Sequence, residues 1–241
     1  FSTRLGGVSP FPDSDLNLAG FNEDTAENIY ENRRRFLAAF DGAPLLAMVW
    51  QIHGDTVKTI ATVSDIGDSE DKADGLISDL DSVLVGVKTA DCVPVLIGDP
   101  TTRSFAAVHA GWRGTVQSIV KKSISELRRI YGAEAKNMIA AIGPAAGCEN
   151  YEIGQDVIDD FRDNFGSDSA KYFTLTREGH ALVDLHMANH DQLTACGLDP
   201  ANIYTAPFCT MARPDLFFSY RLEKHRYGKT GRLLSVIGRQ N

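Results

Sequence analysis

His53, Cys92 and His109 are the residues of this chain whose types and settings most invite chemistry. They stand in "WQIHGD", "TADCVP" and "AVHAGW". Each follows an apolar, strand-like segment and precedes a Gly or Pro turn, a place where a strand end delivers a side chain to a cleft. The gaps between them are 39 and 17 positions, so the fold, and not local spacing, must bring them together. Two imidazoles and one thiolate form a borderline-soft donor set suited to Zn²⁺, and three protein ligands leave a fourth position for water or substrate. Coordination would also keep the thiol deprotonated. By residue type alone the plainer readings stay open. A lone Cys after a strand is commonly a small buried hydrophobe, a lone His is commonly a satisfied core residue, and no CxxC or HExxH spacing favours a metal. A closed structural zinc site would need a fourth ligand, and Cys148, Cys196 and Cys209 sit in other motif contexts.

The elements that must position these residues can be read from periodicity. "DTAENIYENRRRFLAAF" reads as a helix capped by Asp24, with Glu27 in capping-box position and an apolar stripe through Ile29, Phe36, Leu37 and Phe40. "LLAMVWQIHGDTVKTIATV" reads as two strands joined through "HGD", and "ADGLISD" and "SVLVGVKT" as further strands, the latter apolar enough for a central position. In "VKTADCVPVLIGD" the strand is expected to end where Cys92 leaves the sheet, with Pro94 blocking the N–H pairing that would draw it back. "SFAAVHAG" is a short buried strand, and "TVQSIVKKSISELRRIYG" a helix with Val116, Val120, Ile124, Leu127 and Tyr131 on one face and Gly132 as its stop. "NMIAAIG" is a strand, "PAAGCENYEIG" a loop and "QDVIDDFRDNF" a helix. "KYFTLTREGHALVDL" is a hairpin turned at Glu178–Gly179, and "LHMANHDQLTACG" a helix. "NIYTAP", "LFFSY" and "RLLSVIG" are late strands. With no linker or repeat between them, these elements imply one α/β domain over residues 1–241. No GxGxxG in a strand–helix context and no Walker A spacing is present.

Composition narrows the function classes. Of 241 residues, 24 are Lys or Arg and 32 Asp or Glu, a formal net charge of −8. Such a chain is a poor candidate for nucleic acid or an anionic membrane, though a local cationic pocket for a small anion is compatible with it. No apolar run is long enough for a membrane span, and no leader is visible. Four scattered cysteines suit reduced thiols and a cytoplasmic location.

The motifs "FSTRLGGVS", "LNLAG", "QIHGDTV", "ADGLIS", "TADCVPVLIGD", "AAVHAGWRGT", "IGPAAGCENYEIG" and "FFSYR" with "GKTGRLLSVIG", in this order, resemble the YfiH family. Its members were long described as polyphenol oxidoreductases or laccases, and are now described as purine nucleoside phosphorylases. The resemblance runs from Phe1 to about Gly238. It implies a single-domain four-layer α/β/β/α sandwich with mixed sheets, and it places the family's metal ligands on His53, Cys92 and His109. It further implies one Zn²⁺ per chain, with copper disfavoured, and phosphorolysis of adenosine, inosine, guanosine and S-methyl-5′-thioadenosine. Hydrolytic deamination of adenosine is implied as a second activity. Purine nucleosides and phosphate are then the partners, with a homodimer as the candidate assembly. Some bacterial members are linked instead to peptidoglycan-precursor editing. Two stretches depart from the family pattern. "SPFPDSD" replaces a shorter glycine-bearing loop, and "SYRLEKHRYGKTGR" is longer and more basic than the usual form.

Phosphorolysis needs a held anion, for which the chain offers Arg4, Arg113 and Arg221. Arg113 lies between a strand end and a helix start, where free N–H groups favour anions. Asp91, beside Cys92, is a candidate to orient a ligand or accept a proton, or to cap a turn; Gln51 and Asp74 are further candidates for the same surroundings. Trp112 could stack on a base or simply join the core. Zinc deaminases carry HxE and PCxxC signatures, whereas this chain has "HAG" and "DCVP", so deamination would need another proton shuttle. Two rivals remain: a metal-free cysteine hydrolase with Cys92 as nucleophile and His109 as base, and a laccase. The second fits poorly, because the chain has six His and no H-x-H pair.

Overall fold

The structure is a computed structural model that describes residues 1–10, 15–19, 24–67 and 71–239. In chain order its elements are α1 (Ala26–Leu37), β1 (Leu45–Ala47), β2 (Val57–Ile60), β3 (Gly75–Ser78), β4 (Val83–Thr89), β5 (Val93–Asp99) and β6 (Ser104–Ala110). There follow α2 (Trp112–Val116), α3 (Ile119–Tyr131), β7 (Ile139–Ile142), β8 (Glu152–Gly154), α4 (Gln155–Phe165), β9 (Phe173–Arg177) and β10 (His180–Val183). The last are α5 (Leu185–Ala195), β11 (Ile203–Thr205), α6 (Tyr220–Tyr227) and β12 (Leu233–Gly238).

The strands form a six-stranded sheet in the order β11-β7-β5-β6-β3-β2 and two three-stranded sheets, β1-β4-β12 and β8-β10-β9. The six-stranded sheet and the β1-β4-β12 sheet are mixed: β2 runs parallel to β3 and β1 to β4, whereas β5 pairs antiparallel with β6 and β12 with β4. Side chains alternate across a strand, and this alternation builds the layers. On one face of the six-stranded sheet, Val93, Val95, Ile97, Ala106 and Val108 meet Ile119, Ile124 and Leu127 of α3, together with residues of α4 and α5. On the other face, Leu96, Phe105 and Ala107 meet Val83, Val85 and Val87 of the smaller sheet. The far side of that sheet gathers Leu46, Leu234 and Val236 with Phe36 of α1. The result is helix, sheet, sheet, helix, the sandwich implied by the family resemblance.

Several elements differ from the sequence reading. Thr25, not Asp24, caps α1, its hydroxyl accepting the Asn28 N–H. The two strands on either side of "HGD" are not partners; β1 belongs to the smaller sheet and β2 to the larger. The helix expected from Thr115 starts earlier as α2 and is broken at Ser118, whose φ is +61°, before α3 begins. The "PAAGCENYEIG" segment contains β8, paired to β10. "LFFSY" is not a strand: its last residue opens α6, because the Ser219 hydroxyl accepts the Leu222 N–H and starts a helix. The "SPFPDSD" departure falls largely on residues 11–14, outside the described residues.

The segment "VKTADCVPVLIGD" also resolves differently. It is not one strand that stops at Cys92 but two, β4 and β5, which lie in different sheets. The residues between them carry the chain from one layer to the next, and Asp91 makes the corner with φ +83°. Pro94 lies inside β5, opposite His109, and its carbonyl accepts the Gly143 N–H. Lacking an N–H, it is tolerated there at the start of the strand.

Candidate metal centre

Three different pieces of chain deliver the three predicted ligands to one point. His109 is the penultimate residue of β6 and shares the parity of Phe105 and Ala107, so it faces the space between the two sheets. Cys92 follows the Asp91 corner and precedes β5. His53 sits in the loop before β2 with φ +60°, a conformation unusual for a residue with a side chain. The donor atoms of His53, Cys92 and His109 all lie within 4.8 Å of one another. The two imidazole rings meet edge-on, with centroids 4.8 Å apart and planes at 80°. His109 is buried, Cys92 half-buried and His53 exposed, so the cluster opens to solvent on the His53 side.

A single carboxylate holds two of these pieces. Asp74 is fully buried, and its Oδ1 lies 2.8 Å from His109 Nδ1. It also accepts the backbone N–H groups of His53 at 2.9 Å, Gly54 at 2.7 Å and Ile52 at 3.2 Å. These bonds explain how His53 keeps its left-handed backbone. With Nδ1 engaged, His109 has only Nε2 to offer the cluster, the carboxylate–histidine arrangement found behind metal-binding imidazoles. Gly111 gives the cluster room, since a Cβ there would come within 3.1 Å of Cys92 Sγ and 3.3 Å of His53 Cδ2.

The electrostatics agree with a thiolate. Burial pushes the Cys92 thiol up, but the adjacent His109 and His53 outweigh it and bring its pKa down to about 6. Burial pushes His109 down, yet the Cys92 charge and the Asp74 bond raise it to about 9. For Asp74, too, burial works upward, and the bonds from His109 and the loop N–H groups win, holding the carboxyl below its usual range. The donor set, its spacing and the fixed His109 tautomer fit a divalent ion with one position left open. Among the described residues this is the one cluster of three or more such donors. A surface hollow of about 480 Å³, lined by Arg103, Phe105, Ile139 and Arg239, lies at the opposite end of β5 and β6 and takes no part in it.

The other residues singled out from the sequence fall in different places. Arg4 is not available to an anion: it is 4% exposed, bonded to Asp15 at 2.8 Å and Glu223 at 2.7 Å, and stacked on Phe218. Gln51 does not face substrate either, because its amide pairs with both the N–H and the carbonyl of Lys88, at 2.8 and 2.7 Å. Asp74 serves His53 and His109 of the candidate centre and is buried away from solvent. The Asp91 carboxylate accepts from Thr210 Oγ1 at 2.7 Å, Ser219 Oγ at 3.0 Å and Arg221 N at 2.7 Å. That network occupies both oxygens and leaves the residue a positioning part rather than a proton acceptor. Arg113 is exposed and stacks on half-buried Trp112 at 4.2 Å, while the apolar part of Trp112 joins the core. Arg221 donates to the Glu152 carbonyl at 2.9 Å and lies 4.9 Å over the Tyr151 ring.

Sequence reasoning passed over Thr210, Ser219 and Tyr151. Tyr151 is largely enclosed, and burial first, then the nearby Cys92 charge, pushes its phenol up to about 12. None of the three stands in a spacing that marks it, although Tyr151 lies in the motif "ENYEIG" and Ser219 in "FFSYR".

The chain matches, over residues 1–240, the family model described as multi-copper polyphenol oxidoreductase laccase. It is 34% identical to the purine nucleoside phosphorylase of Deinococcus radiodurans, an alignment that spans 99% of this chain and 87% of that protein. It is also 34% identical to the purine nucleoside phosphorylase YlmD of Geobacillus stearothermophilus, over 99% of this chain and 89% of that one. Among solved structures it superposes on Bacillus licheniformis YfiH with a TM-score of 0.91 at 30% identity, covering 98% and 90% of the two chains. It superposes on the crystal structure of Geobacillus stearothermophilus YlmD with a TM-score of 0.90 at 31% identity, covering 99% and 90%. With a whole-chain match, a shared sandwich and the His–Cys–His cluster at the strand ends, the chain belongs to the YfiH family of multi-copper polyphenol oxidoreductase laccase-type proteins.

Proposed function

We propose that the protein is a cytoplasmic, zinc-dependent purine nucleoside phosphorylase acting on adenosine, inosine, guanosine and S-methyl-5′-thioadenosine, with hydrolytic deamination of adenosine as a second activity. The observation that carries the reading is the His53–Cys92–His109 cluster, solvent-open on one side and backed by Asp74 on the other. Relatives named purine nucleoside phosphorylase along nearly the whole chain support it. Among the described residues no helix is long and apolar enough to cross a membrane.

His53, Cys92 and His109 would hold the ion, and when bound it supplies Lewis-acid polarisation of an oxygen. The chain's own residues do the rest. Asp74 fixes the His109 tautomer and the His53 loop. Arg113 and Arg221 are the exposed cations on the segments nearest the centre, and we assign them to the phosphate co-substrate. The half-buried Trp112 and Tyr151 rings, each under a guanidinium, offer flat walls for a purine. A multicopper oxidase needs several imidazole-rich clusters, and the described residues contain a single three-donor group.

The test is a nucleoside screen with and without phosphate, read by chromatography of the free base. Phosphate-dependent release of base supports the reading, and no base from any purine nucleoside refutes it. One observation favours a second reading: a thiol at about 6 beside His109 also suits a cysteine hydrolase. Metal analysis separates the two. One zinc per chain, lost in Cys92→Ser, supports the metal enzyme; a metal-free protein whose activity is abolished by iodoacetamide supports the hydrolase.

A further inference from the structure

The chain is acidic overall, with a net charge of −8, yet residues 221–232 hold Arg221, Lys224, His225, Arg226, Lys229 and Arg232 against one acid, Glu223. That acid is buried against Arg4 at 2.7 Å and cancels nothing at the surface. Arg221, Lys224 and His225 fall at i, i+3 and i+4 of α6, so they share one helix face, and all three are exposed. The face is tied to the metal centre. Asp91, the residue before Cys92, accepts the Arg221 N–H at 2.7 Å and the Ser219 hydroxyl at 3.0 Å, which fixes where the helix starts. The Arg221 guanidinium then lies over Tyr151, one turn, about 5.4 Å, before Lys224 and His225 along the axis. Glu152, whose carbonyl accepts from the Arg221 guanidinium, has its carboxylate paired with Arg177 at 2.8 Å.

We propose that this face of α6 is a phosphate-chain subsite adjoining the metal centre, so that the protein binds purine nucleoside 5′-diphosphates and triphosphates more tightly than uncharged nucleosides. The inference rests on the nucleoside reading of the centre and extends it to a charged ligand class. Arg221 and Lys224 supply charge-assisted hydrogen bonds to successive phosphates, and His225 adds a donor. A phosphate chain can also come from inorganic pyrophosphate, so the two sources are separate arms of the test.

Binding of ADP, adenosine and pyrophosphate to the zinc-loaded protein is measured by calorimetry at low and moderate salt. ADP is expected to bind about tenfold or more tightly than adenosine, with the advantage shrinking as salt rises. In Lys224→Glu the ADP-to-adenosine affinity ratio should collapse towards one. A ratio near one in the parent protein, or a ratio unchanged by Lys224→Glu, overturns the proposal. So does pyrophosphate binding with no ADP advantage, since the anion site is then separate from the purine site. The base-release screen keeps the two readings apart. A protein that releases no base from any purine nucleoside, yet binds ADP over adenosine with that ratio lost in Lys224→Glu, refutes the phosphorylase reading and supports the phosphate subsite.

Discussion

The Asp74 carboxylate sits 2.8 Å from His109 Nδ1 and at the same time caps the three consecutive N–H groups that begin at Ile52, so one side chain places two of the three candidate metal donors. An amide at this position keeps the shape but loses the charge and offers a donor where only acceptors fit. Asp74→Asn is therefore expected to weaken zinc affinity by about 10–100-fold, measured by chelator competition. Asp74→Ala should also lower the thermal midpoint of the metal-free protein, because buried donors left without an acceptor cost about 1–3 kcal/mol each.

Gly111 tests crowding rather than chemistry. Its backbone has φ −66°, which alanine adopts without strain, so only the added methyl matters. That methyl meets Cys92 Sγ at 3.1 Å and His53 Cδ2 at 3.3 Å. Gly111→Ala is expected to lower zinc affinity by about tenfold while leaving the unfolding midpoint of the metal-free protein nearly unchanged.

The thiol at 92 has a pH signature in the metal-free protein. Because its pKa is lowered to about 6, the thiolate is populated above that pH and lost below it. Iodoacetamide labelling of Cys92 should rise through a midpoint near pH 6, where an ordinary thiol would respond nearer 8.5. Loading with zinc should suppress the labelling, and mass spectrometry of the alkylated peptide reads both effects.

Arg4 separates stability from substrate binding. Its guanidinium is enclosed with Asp15 and Glu223, so Arg4→Met leaves two buried carboxylates without their cation. The expected loss is about 3–5 kcal/mol of unfolding free energy, read by denaturant titration. Below the new midpoint the KM for phosphate should be unaltered, since Arg4 does not reach the centre. A raised phosphate KM with unchanged stability would contradict this assignment.

Much of the architecture is visible in local pattern. The short buried run "SFAAVHAG" and the turn at Glu178–Gly179 correspond to β6 and to the β9–β10 hairpin, because short-range patterning is enough to specify them. The apolar run "SVLVGVKT" is indeed the middle strand of its sheet. What local pattern does not carry is sheet membership. β4 and β5 read as one interrupted strand because nothing in "TADC" says that its two sides belong to different layers. Nor does it mark which polar residue answers which: Arg4 and Glu223 are 219 positions apart, and Asp91 and Ser219 are 128 apart. The three donors were legible through family motifs, and Asp74 was a candidate for their surroundings, but its partners His53 and His109, and the roles of Thr210 and Ser219, become legible only once long-range contacts exist.

The corner at Asp91 has a mechanical meaning. Cys92 is anchored where the chain steps from the smaller sheet to the larger, His109 belongs to the larger sheet, and the His53 loop is fastened to both, through Gln51 to Lys88 and through Asp74 to His109. An ion held by these three side chains would rivet the two sheets together at one edge. Any sliding of one sheet across the other would stretch the coordination, so the grip on the metal is also a gauge of how firmly the sandwich is closed.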